Sequence, residues 1–309
     1  MKTRKVYTLG ETLLDIIFRN EAPIAAKPGG SMLNSALSLG RTGIDVYFIS
    51  DYGTDFPGNL ISGFLEKNRV STNYIDRYAD GNTAIALASL DTNSNAEYTF
   101  YKSYPPKRLT AGFPEIFPGD VVLFGSFYAI NADIREKIIG FIRSARQSGA
   151  LIIYDPNFRK TLLAEINRVR PWIEENIALA DIVRGSDEDF NFIFNTDNTR
   201  SAYTEVRRAG CNLLIYTANS QAVELMCDAM HLQVEVPPIT PVSTIGAGDS
   251  FNAGLIYALI HKGIERADLP FLKEENWREM IAAGISFASA VCMQMDNYVP
   301  EGFEGGYGV

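Results

Sequence analysis

The stretch STIGAGDSFNAG, residues 243–254, carries the strongest local signal in the chain. Small residues run from Gly246 to Gly248 directly into Asp249, after which the chain becomes apolar. This order predicts a tight turn that opens a buried helix. The first N–H groups of a helix have no partner inside it, and the helix dipole adds positive charge there. Because Gly246, Ala247 and Gly248 carry little or no side chain, the turn predicts an anion-binding site.

Asp249 needs a separate explanation, because its carboxylate would repel a bound anion. A hydroxyl group placed between the carboxylate and a phosphate would remove the conflict, with Asp249 taking the proton as the hydroxyl attacks phosphorus. The alternative is that Asp249 only caps the helix and the glycines only permit a turn. A dinucleotide-binding G-x-G-x-x-G is a poor alternative, because Phe251 stands where the motif needs its last glycine.

Composition limits the classes of protein that the chain can represent. It has 309 residues, a net charge of −9, 46% hydrophobic and 21% charged residues. The negative charge argues against nucleic-acid binding. No apolar run approaches the ~18 residues of a membrane span, so we expect no membrane association and a cytoplasmic protein. The three cysteines are widely scattered, which predicts free thiols.

Short apolar segments alternate with helical patterns along the chain. The predicted strands are KVYTLGE, VYFISDYG, DVVLFGS, LIIYDPN, DIVRGS and NLLIYTA. Such alternation indicates an α/β fold with a mainly parallel sheet covered by helices on both faces. No linker divides the chain, so residues 1–309 are predicted to form a single domain.

Two regions interrupt the alternation and predict extra β structure outside the main sheet. They are residues 14–27 and residues 83–104, of which the second reads as two strands around the polar turn DTNSNA. A lid over a binding site is the functional interpretation, and a plain surface hairpin is the structural one. The pattern alone does not separate them.

Four motifs together resemble the ribokinase-like (PfkB) carbohydrate kinases. STIGAGDSFNAGLIYAL resembles the C-terminal signature of that family, and KPGGSMLNSALSLGRTG resembles its G-G-x-x-x-N-x-A pattern. DYGTDFPGN and GETLLD are similar to two further family segments, and all four follow the family order. The resemblance implies a ribokinase-like fold with a small β-sheet lid and phosphoryl transfer from Mg·ATP to a sugar. It also implies that Asp249 is the general base beside a Gly-Ala-Gly anion hole.

The resemblance assigns the sugar side of the site to Asp15, Gly29, Gly30 and Asn34. A carboxylate and an amide suit a polyol, because they accept and donate hydrogen bonds. Arg159, in YDPNFR, is a further candidate for binding the substrate or the transferred phosphoryl group. A structural salt bridge is the alternative for Arg159. Asp155 and Asn157 of the same segment are expected to organise that edge or the water shell of the metal.

The nucleotide side departs from the family pattern. The family's metal-organising segment falls on RGSDEDF, which gives Ser186, Glu188 and Asp189 as candidates that act through water. The expected nucleotide contacts are Thr217, Asn219, Gly246 and Gly248. Asn219 and Ala222 replace family glycines, Ser243 replaces the usual aspartate, and the adenine pocket is expected near 282–293. A monovalent cation such as K⁺ is a further candidate cofactor.

The predicted activity is that of a fructokinase-like sugar kinase. The alternatives are a 2-keto-3-deoxygluconate kinase, a nucleoside kinase, or a catalytically weak relative that only binds a sugar or nucleoside. The expected partners are the sugar and ATP. A lid also offers a sheet edge to a second subunit, which predicts a homodimer.

Overall fold

Two β-sheets form the framework of the chain. The computed structural model describes residues 4–19, 21–90, 96–218 and 221–305, and within them nine strands form a main sheet and four form a small sheet. The main-sheet strands are β1 (Val6–Leu9), β4 (Val46–Gly53), β5 (Val70–Tyr78), β8 (Val121–Gly125), β9 (Leu151–Asp155), β10 (Ile182–Ser186), β11 (Leu213–Ala218), β12 (Ala222–Cys227) and β13 (Met230–Glu235).

The main sheet is mainly parallel, as predicted. Its strand order is β13-β12-β11-β10-β9-β8-β1-β4-β5, and only the β11–β12 and β12–β13 pairs are antiparallel. The six predicted strands correspond to β1, β4, β8, β9, β10 and β11. Parallel strands run in one direction, so the ends of β1, β9, β10 and β11 bring their following loops to the same edge.

Helices cover both faces of the main sheet. They are α1 (Ser31–Arg41), α2 (Phe56–Lys67), α3 (Arg135–Gln147), α4 (Ile166–Leu179), α5 (Asp187–Phe194), α6 (Thr199–Ala209), α7 (Ala247–His261) and α8 (Glu274–Cys292). Helices α1, α2, α7 and α8 pack in one hydrophobic core, and α3 to α6 pack in the other.

The two cores follow from the alternation of side chains along each buried strand. Val121 and Leu123 of β8 belong to the core beneath α7, whereas Val122 and Phe124 belong to the core beneath α3. Because both faces of a parallel sheet are covered, these strands appear in the sequence as continuous apolar runs. That is why they could be predicted without an alternating pattern.

The small sheet contains β2 (Leu13–Arg19), β3 (Ala22–Gly29), β6 (Asn82–Leu90) and β7 (Ala96–Ser103). Its strand order is β3-β2-β6-β7, in which β2 and β6 run parallel and the two outer pairs run antiparallel. The extra β structure predicted from residues 14–27 and 83–104 is therefore confirmed. Part of the predicted turn, residues 91–95, lies outside the described residues.

Three further features concern the cysteines, the apolar character of the helices and the histidines. Cys211, Cys227 and Cys292 are free thiols. No helix in the described ranges is both long and apolar enough to cross a membrane. The histidines make local contacts, since His231 pairs with Glu224 and His261 bonds to the carbonyl of Tyr257.

Candidate active site

The glycine-rich turn lies at the beginning of α7, as predicted. Gly246 precedes the helix with φ 82°, and a Cβ atom placed there would lie 2.3 Å from the carbonyl oxygen of Asn297. Only glycine fits such a backbone conformation and such a close approach without strain. A Cβ atom at Gly248 would lie 2.7 Å from Nη1 of Arg184, so the guanidinium group packs directly over the turn.

Two backbone amides of this turn donate to no acceptor among the described residues. Ala247 donates to the carbonyl of Thr244 and Ser250 donates to that of Gly246, whereas the amides of Gly248 and Asp249 donate to no acceptor in the described part of the chain. Unpaired amides at a helix N-terminus attract negative charge. The turn therefore has the geometry of an anion-binding site.

Asp249 lies in the first turn of α7, and its side chain contacts α1. The Nδ2 group of Asn34 donates to Oδ2 of Asp249 over 2.8 Å, and Oγ of Ser35 donates to the Asp249 carbonyl over 2.8 Å. Burial raises the pKa of the Asp249 carboxyl to about 6, against the opposing effect of the Asn34 hydrogen bond and of Arg159 and Arg184. A carboxyl group with a pKa near 6 is suited to exchange protons at neutral pH.

A buried arginine connects three strands next to the turn. Nη1 of Arg184 donates to Oδ2 of Asp155 over 3.0 Å, and its Nη2 donates to Oγ1 of Thr217 over 2.9 Å. Asn252 of α7 also donates to Oδ2 of Asp155, over 2.6 Å. These contacts hold the ends of β9, β10 and β11 against α7.

Sequence reasoning missed Arg184 and Asn252 as members of the site. A signal for Arg184 was present, because a charged residue interrupts the apolar strand DIVRGS. A buried charge needs a partner, so an arginine within a core strand indicates a carboxylate nearby. No comparable signal marked Asn252, which is buried in the first half of α7.

The predicted sugar-binding residues lie where the small sheet leads into α1. A Cβ atom at Gly29 would lie 2.1 Å from Oδ2 of Asp15, so the carboxylate rests on that glycine. Gly30 caps α1 with φ 141°. Burial raises the pKa of Asp15 to about 6. Oδ1 of Asn34 is buried and has no hydrogen-bond partner within the described residues, so a ligand hydroxyl would satisfy it.

Arg159 lies at a different position from the buried network. It is exposed and follows β9, and its charge lowers the pKa of Asp249. Asn157 has φ 36°, and its amide donates to Oδ1 of Asp155 over 2.9 Å. The segment YDPNFR thus turns sharply at the sheet edge and brings Arg159 within electrostatic range of Asp249.

The residues predicted to act on a metal are engaged in local structure. Ser186 and Asp189 form a capping box at the start of α5, and Oδ1 of Asp189 accepts the amide of Phe158 over 2.6 Å. Burial and the nearby Asp155 raise the pKa of Asp189. Glu188 is exposed. The described residues contain no cluster of three His, Cys, Asp or Glu that could hold a metal ion directly.

The structure describes most of the residues predicted to contact the nucleotide. Thr217 is the last residue but one of β11 and accepts a hydrogen bond from Arg184, whereas Asn219 lies outside the described residues. Ala222 begins β12 opposite Ala218. Oγ of Ser243 accepts the amide of Ile245 over 3.2 Å, so this serine supports the turn where the family has an aspartate.

An exposed apolar surface lies beside the turn. The amide of Val242 donates to the carbonyl of Cys292 over 2.7 Å, which joins the segment before α7 to the end of α8. Val242, Ile245 and Met293 have exposed fractions of 56%, 55% and 55%. Such a surface suits a flat aromatic base, and it lies at the end of the predicted segment 282–293.

Two solved structures share the fold of this chain. A fructokinase with bound ATP from Xylella fastidiosa matches with a TM-score of 0.84 at 20% identity, over 97% of this chain and 96% of that one. An aminoimidazole riboside kinase from Salmonella enterica matches with a TM-score of 0.81 at 20% identity, over 95% and 94% of the two chains. These likenesses establish the fold.

Sequence relatives and a family pattern identify the class of enzyme. A fructokinase from Klebsiella pneumoniae is 27% identical over 265 residues, which cover 84% of this chain and 86% of the relative. A probable fructokinase-2 from Arabidopsis thaliana is 26% identical over 297 residues, covering 92% and 88%. The pattern of the pfkB family carbohydrate kinases matches residues 3–300. The chain therefore belongs to the pfkB family and is a carbohydrate kinase.

Proposed function

We propose that this kinase transfers the γ-phosphoryl group of ATP to a hydroxyl of fructose or a related sugar, with Asp249 as general base. The observation that carries the proposal is the buried carboxyl of Asp249, with a pKa raised to about 6, next to two amides at the start of α7 that are unpaired within the described residues. A base and an anion site at one helix N-terminus suit phosphoryl transfer to an alcohol. The fructokinase relatives support the choice of sugar.

The Asn34 hydrogen bond supports the role of Asp249 in proton transfer. It occupies Oδ2 of the carboxylate, while Oδ1 accepts no hydrogen bond from the described residues. The free oxygen can take the proton of the acceptor hydroxyl. Oδ1 of Asn34 can accept from a second hydroxyl of the same sugar, because it is buried and unpaired within the described chain.

Backbone and side-chain hydrogen-bond donors would stabilise the negative charge on the transferred phosphoryl group. The amides from Gly246 to Asp249 would act as an anion hole, in which Gly248 and Asp249 supply the unpaired N–H groups. Arg184 packs over Gly248, and exposed Arg159 carries a second positive charge near Asp249. The turn and Arg184, which is held by Asp155 and Thr217, are in place before the reaction, so they need little reorganisation as charge develops.

The nucleotide would lie along the turn, with its base on the surface of Val242, Ile245 and Met293. Thr217, Gly246 and Gly248 are the proposed contacts, together with Asn219. Mg²⁺, when bound, would offset the negative charge of the phosphates. Asp155 and the group of Ser186, Glu188 and Asp189 would reach its water shell. A requirement for K⁺ also stays a prediction.

The small sheet is proposed to act as a lid that excludes water from the phosphoryl group. Its outer strands β3 and β7 carry exposed Ile24 and Tyr101, at 53% and 59%. Exposed apolar residues on sheet edges favour contact with another subunit. We therefore also propose a homodimer through this sheet, which a mass measurement in solution would test.

An assay of ADP release tests the proposed function. The panel should contain fructose, other hexoses and pentoses, 2-keto-3-deoxygluconate and nucleosides, each with ATP and Mg²⁺. We expect turnover of fructose or a close relative to exceed that of the sugar acid and the nucleosides. Highest turnover of a nucleoside or of the sugar acid would contradict the proposed substrate, and sugar binding without any turnover would contradict the kinase reaction.

A further inference from the structure

A cavity of about 790 Å³ lies at the edge of the main sheet opposite the candidate active site. Asp181 and Asn212, two of its lining residues, stand directly before β10 and β11. The other ends of these strands carry Ser186 and Thr217, which belong to the candidate active site. The cavity is therefore separate from the proposed sugar and nucleotide sites, and its volume is typical of a site for a small molecule.

Apolar side chains form much of the cavity wall. Leu213 is the first residue of β11, and the buried Trp277 lies near the start of α8. Leu269 and Leu272 lie in and directly after a short 3₁₀ helix, Arg266–Phe271, and they pack half-buried against the core that contains α7 and α8. An apolar ligand surface placed against these side chains would leave water, which favours binding.

Two arginines and one aspartate form a charged part of the same wall. Nε of Arg266 donates to Oδ1 of Asp181 over 2.9 Å, and Nε of Arg146 lies 3.9 Å from the same oxygen. The Nη1 groups of the two arginines donate to backbone carbonyls, whereas their Nη2 groups donate to no acceptor among the described residues. Two guanidinium groups thus share one carboxylate, which leaves an excess of positive charge with unused N–H donors.

The other two acids of the wall have partners of their own. The carboxylate of Asp228 lies 2.8 Å from Nε of Arg207. Glu265 belongs to a capping box with Asp268 at the start of the 3₁₀ helix, and its charge interacts with that of Arg4. These acids therefore do not offset the positive charge beside Asp181, and the cavity favours an anionic group at that end.

We propose that this cavity is a second binding site, which takes a small molecule with a flat apolar body and one anionic group, such as an aromatic carboxylate. The apolar body packs against Leu269 and Leu272, and the anionic group accepts hydrogen bonds from the Nη2 groups of Arg146 and Arg266. The side chains of these arginines are 34% and 32% exposed, so a ligand can reach them. The inference goes beyond the kinase reaction and does not depend on it.

Two fluorescent probes that differ in charge test the site. Anilinonaphthalene sulfonate has a flat apolar body with one sulfonate, and phenylnaphthylamine has the same body without it. Titrations with ATP and fructose at saturation keep the probes from the apolar surface beside the α7 turn. We expect the sulfonate probe to bind the whole chain at one site, about tenfold more tightly than the uncharged probe, because only the sulfonate can accept from the arginines.

Three variants locate the binding. Ala267 lines the cavity and is exposed, so Ala267→Trp fills the space without removing a contact, and it should weaken both probes by about tenfold or more. Arg266→Gln should weaken only the sulfonate probe and bring its Kd close to that of the uncharged one. Ala132 is an exposed alanine in a turn away from the cavity, and Ala132→Trp should leave both Kd values unchanged.

Equal Kd values of the two probes in wild type would overturn the inference. So would wild-type affinity of both probes in Ala267→Trp, or an equal loss in Ala132→Trp. Thermal unfolding of each variant shows whether it is folded, and if Ala267→Trp is not, the selective effect expected of Arg266→Gln decides. Absence of turnover in the ADP-release assay would contradict the proposed function and leave these binding results as they are.

Discussion

Asn34 donates its Nδ2 group to Oδ2 of Asp249 over 2.8 Å, joining the first turn of α1 to the first turn of α7. The two residues are 215 positions apart in the chain, and each follows a pair of glycines by a few residues, Gly29 and Gly30 before Asn34, and Gly246 and Gly248 before Asp249. The hydrogen bond orients the carboxylate and favours its charged form. It therefore connects the proposed sugar site with the proposed base.

The pH dependence of the reaction should report this carboxyl group. We expect kcat/KM to fall on the acid side with an apparent pKa of about 6, since protonated Asp249 cannot accept a proton. Asn34→Ala should move this acid limb to higher pH, because it removes a hydrogen bond that lowers the pKa of Asp249. Rate profiles between about pH 4 and 8 would measure both effects. An acid limb of kcat/KM at the same pH in Asn34→Ala and wild type would contradict the effect of Asn34 on the pKa of Asp249.

Asp249 should lower the stability of the folded protein at alkaline pH. Folding raises its pKa from 3.8 to about 6, so the folded state loses stability as pH rises between these values. Asp249→Asn should raise the free energy of unfolding by roughly 1–3 kcal/mol at about pH 8, and the gain should shrink below about pH 6. Urea unfolding measures this.

The exposed Asp133 supplies the control for that measurement. Asp133→Asn should leave the free energy of unfolding nearly unchanged at both pH values, because an exposed carboxylate keeps its hydration. A loss of stability in Asp249→Asn at about pH 8 would show that the buried charge is compensated more fully than its burial indicates.

Gly246 should be intolerant of any side chain. Gly246→Ala combines a left-handed backbone with a clash against the Asn297 carbonyl at 2.3 Å. Gly263 has φ 66° and no atom within 4 Å of an added Cβ, so Gly263→Ala isolates the backbone cost of about 1–2 kcal/mol. We expect Gly246→Ala to lower the thermal unfolding midpoint more than Gly263→Ala does, and to lower kcat as well. Equal losses of stability with normal kcat would contradict the close packing of the turn.

Arg184 should be essential for stability as well as for the site. Arg184→Met leaves Asp155, which is 1% exposed, without its charged partner, at an expected cost of about 3–5 kcal/mol. Arg208, whose side chain is 61% exposed in its pair with Glu205, is the control, and Arg208→Met should cost less than about 1 kcal/mol. Similar unfolding midpoints for the two variants would contradict the role assigned to Arg184.

The sequence allowed the main sheet and the α7 turn to be predicted because both are encoded locally. Six buried strands are short apolar runs, and the turn is contained in twelve residues. Strand β5 was missed because it carries polar residues such as Asn73 and Asp76. Strands β12 and β13 were missed because the chain reverses there through antiparallel pairs instead of continuing the helix–strand alternation.

The partners within the site could not be derived from the residues alone. Arg184 meets Asp155 and Thr217 because β10 lies between β9 and β11, and strand order is a property of the whole fold. Ser186 and Asp189 have the spacing of a helix capping box, which they form. A serine and an aspartate at that spacing could also have organised a metal ion through water, so the sequence did not separate the two roles.

The rate of phosphoryl transfer by Asp249→Asn tests the central claim most directly. The variant keeps the size of the side chain and an oxygen that can accept from Asn34, but it cannot take a proton at neutral pH. We expect kcat to fall by about 10²–10⁴-fold, with the Kd for the sugar, measured by calorimetry, nearly unchanged. A kcat equal to that of wild type, with the same sugar Kd, would contradict the assignment of Asp249 as the base.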